Sequence, residues 1–413
     1  MRGLHQFLSE LQSTTSPEAE DACVRRELAH IRSKLQSSPK LDGYQRKKYL
    51  AKLMFVHIQG YRVDFGIMEA VSLASSMRDS EKQIVAPVIN VLQRDLASLR
   101  DSHTCMALHA LANIGTLEMA EELGESVLKL LVSATSPPAV VRKAALTLLH
   151  LLGKDPQCVN VWEWLDRIVP LIQSRDYGVA QSVVALVTQL AGTSPEACAA
   201  CFRPAVEQLH HIVTMRPQNE RDLYHRVPLP WLQVKLLALL QQLPRPEDSH
   251  TKALLLQCLQ QLLRSEPLQR AMVDVQETHA QYAVHFEAVH LAMHLDTTSI
   301  LVARAAVHLG RLFSSEHINV RYIALETMTQ LAHTLTSLDP IRMHLDTIVQ
   351  MLRDRDTSVC RRALDLLYAL CEEANVRRIV AHLLDYMPEA EASLRQDMAL
   401  KVSLLVELVR VHD

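Results

Sequence analysis

Apolar residues recur at three- and four-residue spacings along most of the chain, the pattern of helices that bury one face. Leu4 to Leu11 predicts a short first helix, closed by the polar break Ser13-Thr-Thr-Ser-Pro17. Glu18 to Leu35 predicts a second helix, with Cys23, Leu28, Ile31 and Leu35 on its apolar side and Ser37-Ser-Pro-Lys40 as its stop. From Tyr44 the pattern stays helical to about Gly60. Tyr61 to Gly66 reads as a turn, Met68 to Ser76 as another helix, and Glu81 as the start of the next.

Beyond these, one theme returns: a break carrying Asp, Pro or Ser, then Val-Arg-x-x-Ala-Leu or a variant. It occurs in Ser136-Pro-Pro-Ala-Val-Val-Arg-Lys-Ala-Ala-Leu146, Arg175-Asp-Tyr-Gly-Val-Ala-Gln-Ser-Val-Val-Ala-Leu186, Asn319-Val-Arg-Tyr-Ile-Ala-Leu325 and Arg355-Asp-Thr-Ser-Val-Cys-Arg-Arg-Ala-Leu364. Leu301 to Ala306 and Leu394 to Leu400 are weaker copies. Val141 and Val179 lie 38 residues apart, and Val320 and Val359 lie 39 apart. A degenerate period of this length with two helices per unit predicts an all-α armadillo/HEAT-like solenoid, because each helix pair leaves an apolar face that only its neighbour covers.

The pattern lapses between Met215 and Pro230, a polar connection with three prolines, before a strong helix from Trp231 to Leu243. This is long for a link between helices and predicts a bend. Helical patterning is alike on both sides, so residues 1–413 are read as one domain.

Composition agrees with helices. Ten glycines and 4% aromatic residues are few for sheet proteins, and 48% hydrophobic residues suffice for a continuous core. The eight cysteines sit mostly in apolar helical contexts and the opening Met1-Arg-Gly-Leu-His-Gln is no leader, which predicts free thiols in a reducing, cytosolic compartment. No window has the uninterrupted apolar length of a spanning helix, so any membrane contact is expected to be peripheral.

Catalytic chemistry finds no support. There is no nucleotide-cradling glycine loop, no His-Glu-x-x-His and no Gly-x-Ser-x-Gly. Cys198-Ala-Ala-Cys201 has no partner ligands in the sequence and reads as two thiols on one apolar side. The twenty histidines, His210, His211, His285, His290 and His294 included, read as packed or solvent-facing, and Trp162 and Trp164 as packing residues. No enzyme and no cofactor are expected.

Charge singles out one stretch. The formal net charge is −3, yet residues 25–52 hold Arg25, Arg26, Arg32, Lys34, Lys40, Arg46, Lys47, Lys48 and Lys52 against Glu27 and Asp42. Arg46, Lys47 and Lys48 are consecutive and cannot share one helix face; Lys48 and Lys52 can. A basic turn entering a buried helix suits a multiply charged anion such as a phosphorylated headgroup. An acidic peptide, or plain solvation of the charges, is equally compatible. Nucleic acid is disfavoured by the small patch, few aromatic residues and a pI near 6.7.

Several stretches are similar to the large-subunit adaptins of clathrin adaptor complexes, the alpha class of the plasma-membrane complex in particular. They are Met1-Arg-Gly-Leu4, Glu27-Leu-Ala-His-Ile-Arg-Ser-Lys34, Leu41-Asp-Gly-Tyr-Gln-Arg-Lys-Lys-Tyr49, Val63-Asp-Phe-Gly-Ile-Met-Glu-Ala70, Ser80-Glu-Lys-Gln-Ile84, Ala107-Leu-His-Ala-Leu-Ala-Asn-Ile-Gly115 with Glu118-Met-Ala-Glu121, Pro228 to Leu237, Pro244 to Asp248 and Ala363 to Leu370. They recur in family order over essentially the whole chain. The resemblance implies a right-handed superhelical, horseshoe-like trunk in a four-subunit complex with sigma, beta and mu subunits. It implies endocytic and intracellular protein transport at the cytoplasmic side of the plasma membrane, in clathrin-coated pits. It also implies that phosphatidylinositol 4,5-bisphosphate binds at Arg46, Lys47, Lys48, Tyr49 and Lys52, with Arg32 and Lys34 nearby. Arg46 stands where the family has lysine and keeps the charge. The alternative is a generic cytosolic helical-repeat scaffold that binds a protein in its concave groove.

Three departures matter. Gln12 stands where the family has an arginine that meets dileucine cargo signals, so cargo-tail binding is expected to be weakened. Between Val91-Leu92 and Asp95-Leu-Ala-Ser98 an extra helix's worth of residues is missing, which implies a deletion with locally disturbed packing. The clathrin-recruiting hinge and the appendage have no counterpart in these 413 residues.

Overall fold

Helices start in this chain where a break supplies an acceptor or a proline. Asp176 Oδ1 accepts from Val179 N at 2.9 Å and Asp356 Oδ1 from Ser358 N at 2.8 Å, while Pro137 precedes a helix that opens on Pro138. In the computed structural model these are the first turns of three of the predicted repeat helices. The structure describes residues 2–14, 16–37, 43–58, 60–61, 63, 65–66, 85–214, 220–246, 248–264, 274–295, 300–334, 338–372 and 374–412. The helix expected from Met68 to Ser76, the start expected at Glu81, and Lys40, Leu41 and Asp42 of the basic stretch lie outside them.

The chain divides into two compact units, residues 1–168 and 169–413. In the first, α1 (Arg2–Gln12), α2 (Pro17–Ser37) and α3 (Gly43–Ile58) pack on one another. After them come α4 (Val85–Leu96), α5 (Asp101–Ile114), α6 (Leu117–Val132), α7 (Pro138–Lys154) and the single turn α8 (Leu165–Ile168). Helix α4 packs on α5 and α6, and α7 on α5 and α6, giving two stacked rows. Leu108, Leu111, Leu123, Leu128, Leu148 and Leu151 are fully buried between them. Helix α4 runs unbroken through Val91 to Asp95, with Ile89, Leu92 and Leu96 buried. The helix itself shows no break at the position where the sequence comparison expects a missing segment. The apolar spacing of α4 is continuous and keeps one face inward.

The second unit holds α9 (Tyr177–Thr193), α10 (Phe202–Thr214), α11 (Pro230–Gln242), α12 (Ser249–Arg264), α13 (Val275–Leu295), α14 (Ile300–Leu312), α15 (Ile318–Thr334), the short α16 (Asp339–Arg342) and α17 (Leu345–Met351), α18 (Thr357–Ala369), α19 (Val376–Tyr386) and α20 (Ala392–His412). One row runs α9, α11, α13, α15, α18, α20, each against the next; a second runs α10, α12, α14, α16. The recurrent motif explains the rows. Its apolar residues face inward at Val179, Ala180 and Val183, at Val320, Ala324 and Leu325, and at Val359, Ala363 and Leu364, all buried. Small alanines let neighbouring helices approach, and the branched residues fill what remains. This is an all-α HEAT/armadillo-like solenoid, as the period predicts.

One local expectation needs correction. Trp162 lies in a one-turn 3₁₀ segment, Trp162–Trp164, with no buried residue and is itself exposed; only Trp164 is covered, by Arg167 whose Cζ lies 5.0 Å from its ring centroid. The described part of the irregular connection folds as a hairpin, Leu223–Tyr224 paired with Val227–Pro228. His225 and Arg226 form its turn with φ of 44° and 72°, the left-handed pair that a two-residue turn requires. Neither residue type signals such a turn. Tyr224 packs edge-on against Trp231 at 5.5 Å, and His225 pairs with Asp274 at the start of α13.

Candidate functional site

The basic residues occupy two elements. Arg32 and Lys34 are exposed toward the C-terminal end of α2, where cations oppose the negative end of the helix dipole. Arg46, Lys47 and Lys48 are half-buried in the opening turns of α3. The first turn of α3 has no acidic residue, although acids are what the positive end of a helix ordinarily attracts. Arg46, Lys47 and Lys48 add their charge to the positive end of the helix.

Packing beneath these charges is aromatic and aliphatic. Ile31 of α2 meets Tyr49, Leu50 and Leu53 of α3, flanked by Leu28, Leu35, Val63 and Phe65. Phe7 of α1 meets Val24 and Val56. Gly66, at φ of 89°, allows the following turn to close over this core: a Cβ there would fall 2.6 Å from Leu53 Cδ1. The rings also hold cations. Lys48 Nζ lies 4.9 Å from the Tyr49 ring centroid, and Arg32 Cζ lies 4.5 Å from that of Phe65. His30 meets Tyr49 edge-on at 6.3 Å.

The seven residues expected at the lipid site therefore separate. Arg32, Lys34, Arg46, Lys47 and Lys48 stay at or near the surface. Tyr49 is only 7% exposed and serves as a platform under Lys48. Lys52 is also 7% exposed, and its Nζ lies 2.6 Å from Glu27 Oε1. Spacing alone puts Lys52 on the face of Lys48, but its charge is spent inside the three-helix packing. Glu27 and Phe7, which sequence reasoning left out of the site, are the residues that decide this. No local signal could have named Glu27, since it sits 25 residues away on another helix. Gln12 ends α1.

Elsewhere, chemistry is sparse. Cys198 and Cys201 are fully buried around a 3₁₀ turn, and burial pushes the Cys201 thiol up to about 12. Among the described residues no group of three His, Cys, Asp or Glu is placed to hold a metal ion, and no helix is long and apolar enough to cross a membrane. A polar cleft of about 490 Å³ lies between α15, α18 and the start of α20. Its arginines are already engaged: Arg362 donates to Tyr322 Oη at 2.7 Å and to Glu326 at 3.1 Å, and Arg361 lies 3.6 Å from Asp397.

Residues 87–412 match the family described as the adaptin N terminal region. Over 98% of its length the chain is 37% identical to the AP-2 complex subunit alpha-1 of Arabidopsis thaliana, and 35% identical to the AP-2 complex subunit alpha-2 of Dictyostelium discoideum. It is 30% identical, over the same share, to the human AP-1 complex subunit gamma-like 2. It spans 41%, 43% and 51% of those proteins. Among solved structures, a chain of the full-length AP-3 complex, a homology model in an intermediate open conformation, matches with a TM-score of 0.55 at 19% identity, covering 88% of this chain and 64% of that one. A chain of the Kap95p complex with RanGDP matches with a TM-score of 0.63 at 13% identity, covering 99% and 55%. Both likenesses concern the fold alone.

Proposed function

The chain belongs to the adaptin family, whose N terminal region its residues 87–412 match, and from that premise we propose that it is the trunk part of an alpha-type subunit of a clathrin adaptor complex. Its work is binding, with no chemical step. It carries a phosphoinositide-binding surface at the cytoplasmic face of the plasma membrane and holds a small sigma subunit, with beta and mu subunits completing the assembly. The family match runs through the division at Ile168 and Val169, which supports reading both units as one trunk domain.

One observation carries the lipid reading. Arg46, Lys47 and Lys48 stand at the N-terminal end of a helix that has no acid in its first turn, with Arg32 and Lys34 on the adjoining helix. Each cation near an anionic surface contributes about 1 kcal/mol, so several acting together are needed for recruitment. Replacing both Lys47 and Lys48 by Gln is expected to weaken binding to vesicles containing phosphatidylinositol 4,5-bisphosphate roughly tenfold or more and to flatten its salt dependence. Unchanged binding with an unchanged salt slope defeats the lipid reading. Coexpression with a sigma subunit followed by size-exclusion chromatography tests assembly, and separate elution of the two chains defeats it. Dileucine cargo binding is expected to be weak, since Gln12 supplies no charge.

A further inference from the structure

Lys52 Nζ and Glu27 Oε1 lie 2.6 Å apart with side chains only 9% and 19% exposed. The ring of Phe7 lies 5.4 Å from the same Nζ. The pair thus joins α2 to α3 under cover of α1, within the packing of Val24, Ile31, Leu53 and Val56. A buried ion pair adds little net stability relative to apolar residues of the same size. Removing one partner is costly, because the other charge is stranded. What such a pair does confer is register, since only one alignment of the two helices brings the charges together.

Resting on the lipid reading above, we propose that Glu27 and Lys52 are positioning residues of the headgroup surface. Their pair locks α2 against α3 and so sets Arg32 and Lys34 at a constant spacing from Arg46, Lys47 and Lys48. Lys52 itself makes no contact with the headgroup. Three features agree. Lys52 is the least accessible cation among the described residues of the basic stretch. Its partner belongs to the helix that carries Arg32 and Lys34. Glu27, the acid that would otherwise oppose an anionic ligand, has its charge compensated internally.

The test compares variants of the 413-residue chain for binding to vesicles containing phosphatidylinositol 4,5-bisphosphate and for urea unfolding. Glu27→Gln and Lys52→Met each strand one buried partner, and each is expected to weaken vesicle binding roughly fivefold. For Glu27→Gln this runs against electrostatics, since the change makes the protein more positive. Asp21→Asn makes the same charge change beside the exposed Arg25 of α2 and is the control expected to keep or slightly raise binding. The double variant Glu27→Met with Lys52→Met replaces the pair by apolar side chains. It is expected to recover both unfolding midpoint and vesicle binding to within about twofold of the parent.

A double variant that is stable yet binds as weakly as Lys52→Met shows that Lys52 touches the headgroup and overturns the proposal. Tighter binding by Glu27→Gln, matching Asp21→Asn, overturns it as well, because charge alone then governs. If either single variant fails to fold, the double variant decides. If the parent chain does not bind these vesicles, the lipid reading fails, and additive effects of the two single changes on unfolding would then refute the interhelical lock separately.

Discussion

Arg321 reaches from the first turn of α15 to Asp354, in the break before α18, with Nη2 3.0 Å from Oδ1 and Nε 2.9 Å from Oδ2. The first contact is a hydrogen bond; the second is an ion-pair approach out of hydrogen-bond alignment. Both side chains are about 15% exposed or less. Asp354 Oδ1 also accepts from Asp356 N at 3.0 Å, and Asp356 caps α18. The arginine of one repeat thus organises the loop that starts a later helix in the same row. Replacing Arg321 by Met strands a largely buried carboxylate and is expected to destabilise the protein by about 2–4 kcal/mol. Arg321→Lys keeps the charge but not the planar fork and should recover only part of this. Urea unfolding of the three proteins checks both statements.

His285 of α13 is buried, its ring 5.9 Å from that of His308. Burial, and then the neighbouring His308, lower its pKa from 6.5 to about 4. Between these values the unfolded chain binds the proton and the folded chain does not. Stability contributed by the neutral ring is therefore complete above about pH 6.5 and is lost as the pH falls toward 4, by about 3 kcal/mol in all. Unfolding free energies measured across this window should fall less steeply in His285→Leu than in the parent. Parallel slopes would refute the assignment.

Gly310 lies against His344, and a Cβ at this position would overlap the imidazole ring. The ring cannot withdraw easily: it packs edge-on against Phe313 at 6.2 Å, and its Nε2 is buried with no hydrogen-bond partner. Gly310→Ala is expected to cost about 1–3 kcal/mol despite the better helix propensity of alanine. Adding His344→Ala should return most of the loss, as measured by thermal unfolding of the single and double variants.

Burial pushes Cys201 and Cys258 up to about 12 and Cys371 up to about 11. A thiol reagent at pH 8 should modify these three at least ~100-fold more slowly than a free peptide thiol, whose pKa is about 8.5. Mass spectrometry of native protein, with a denatured sample as reference, checks the rates. Rapid loss of Cys201 would revive a reactive role for the Cys198-Ala-Ala-Cys201 pair.

Much of this architecture is legible in the sequence because it is locally encoded. Asp176 and Asp356 cap helices within their own next turn, and Val320, Ala324 and Leu325 face inward by helical spacing alone. Those same local patterns carry the repeat period and the motifs of the family. Tertiary structure decided what spacing leaves undetermined. Lys48 and Lys52 share a helix face, yet one lies over Tyr49 and the other is buried with Glu27. The left-handed turn at His225 and Arg226 likewise sits where Asp274 and Trp231 converge, although neither turn residue favours that backbone. The cause is common to both. The energy of a buried charge or a strained turn depends on partners brought together by folding, and no periodicity along one helix records which residues those are.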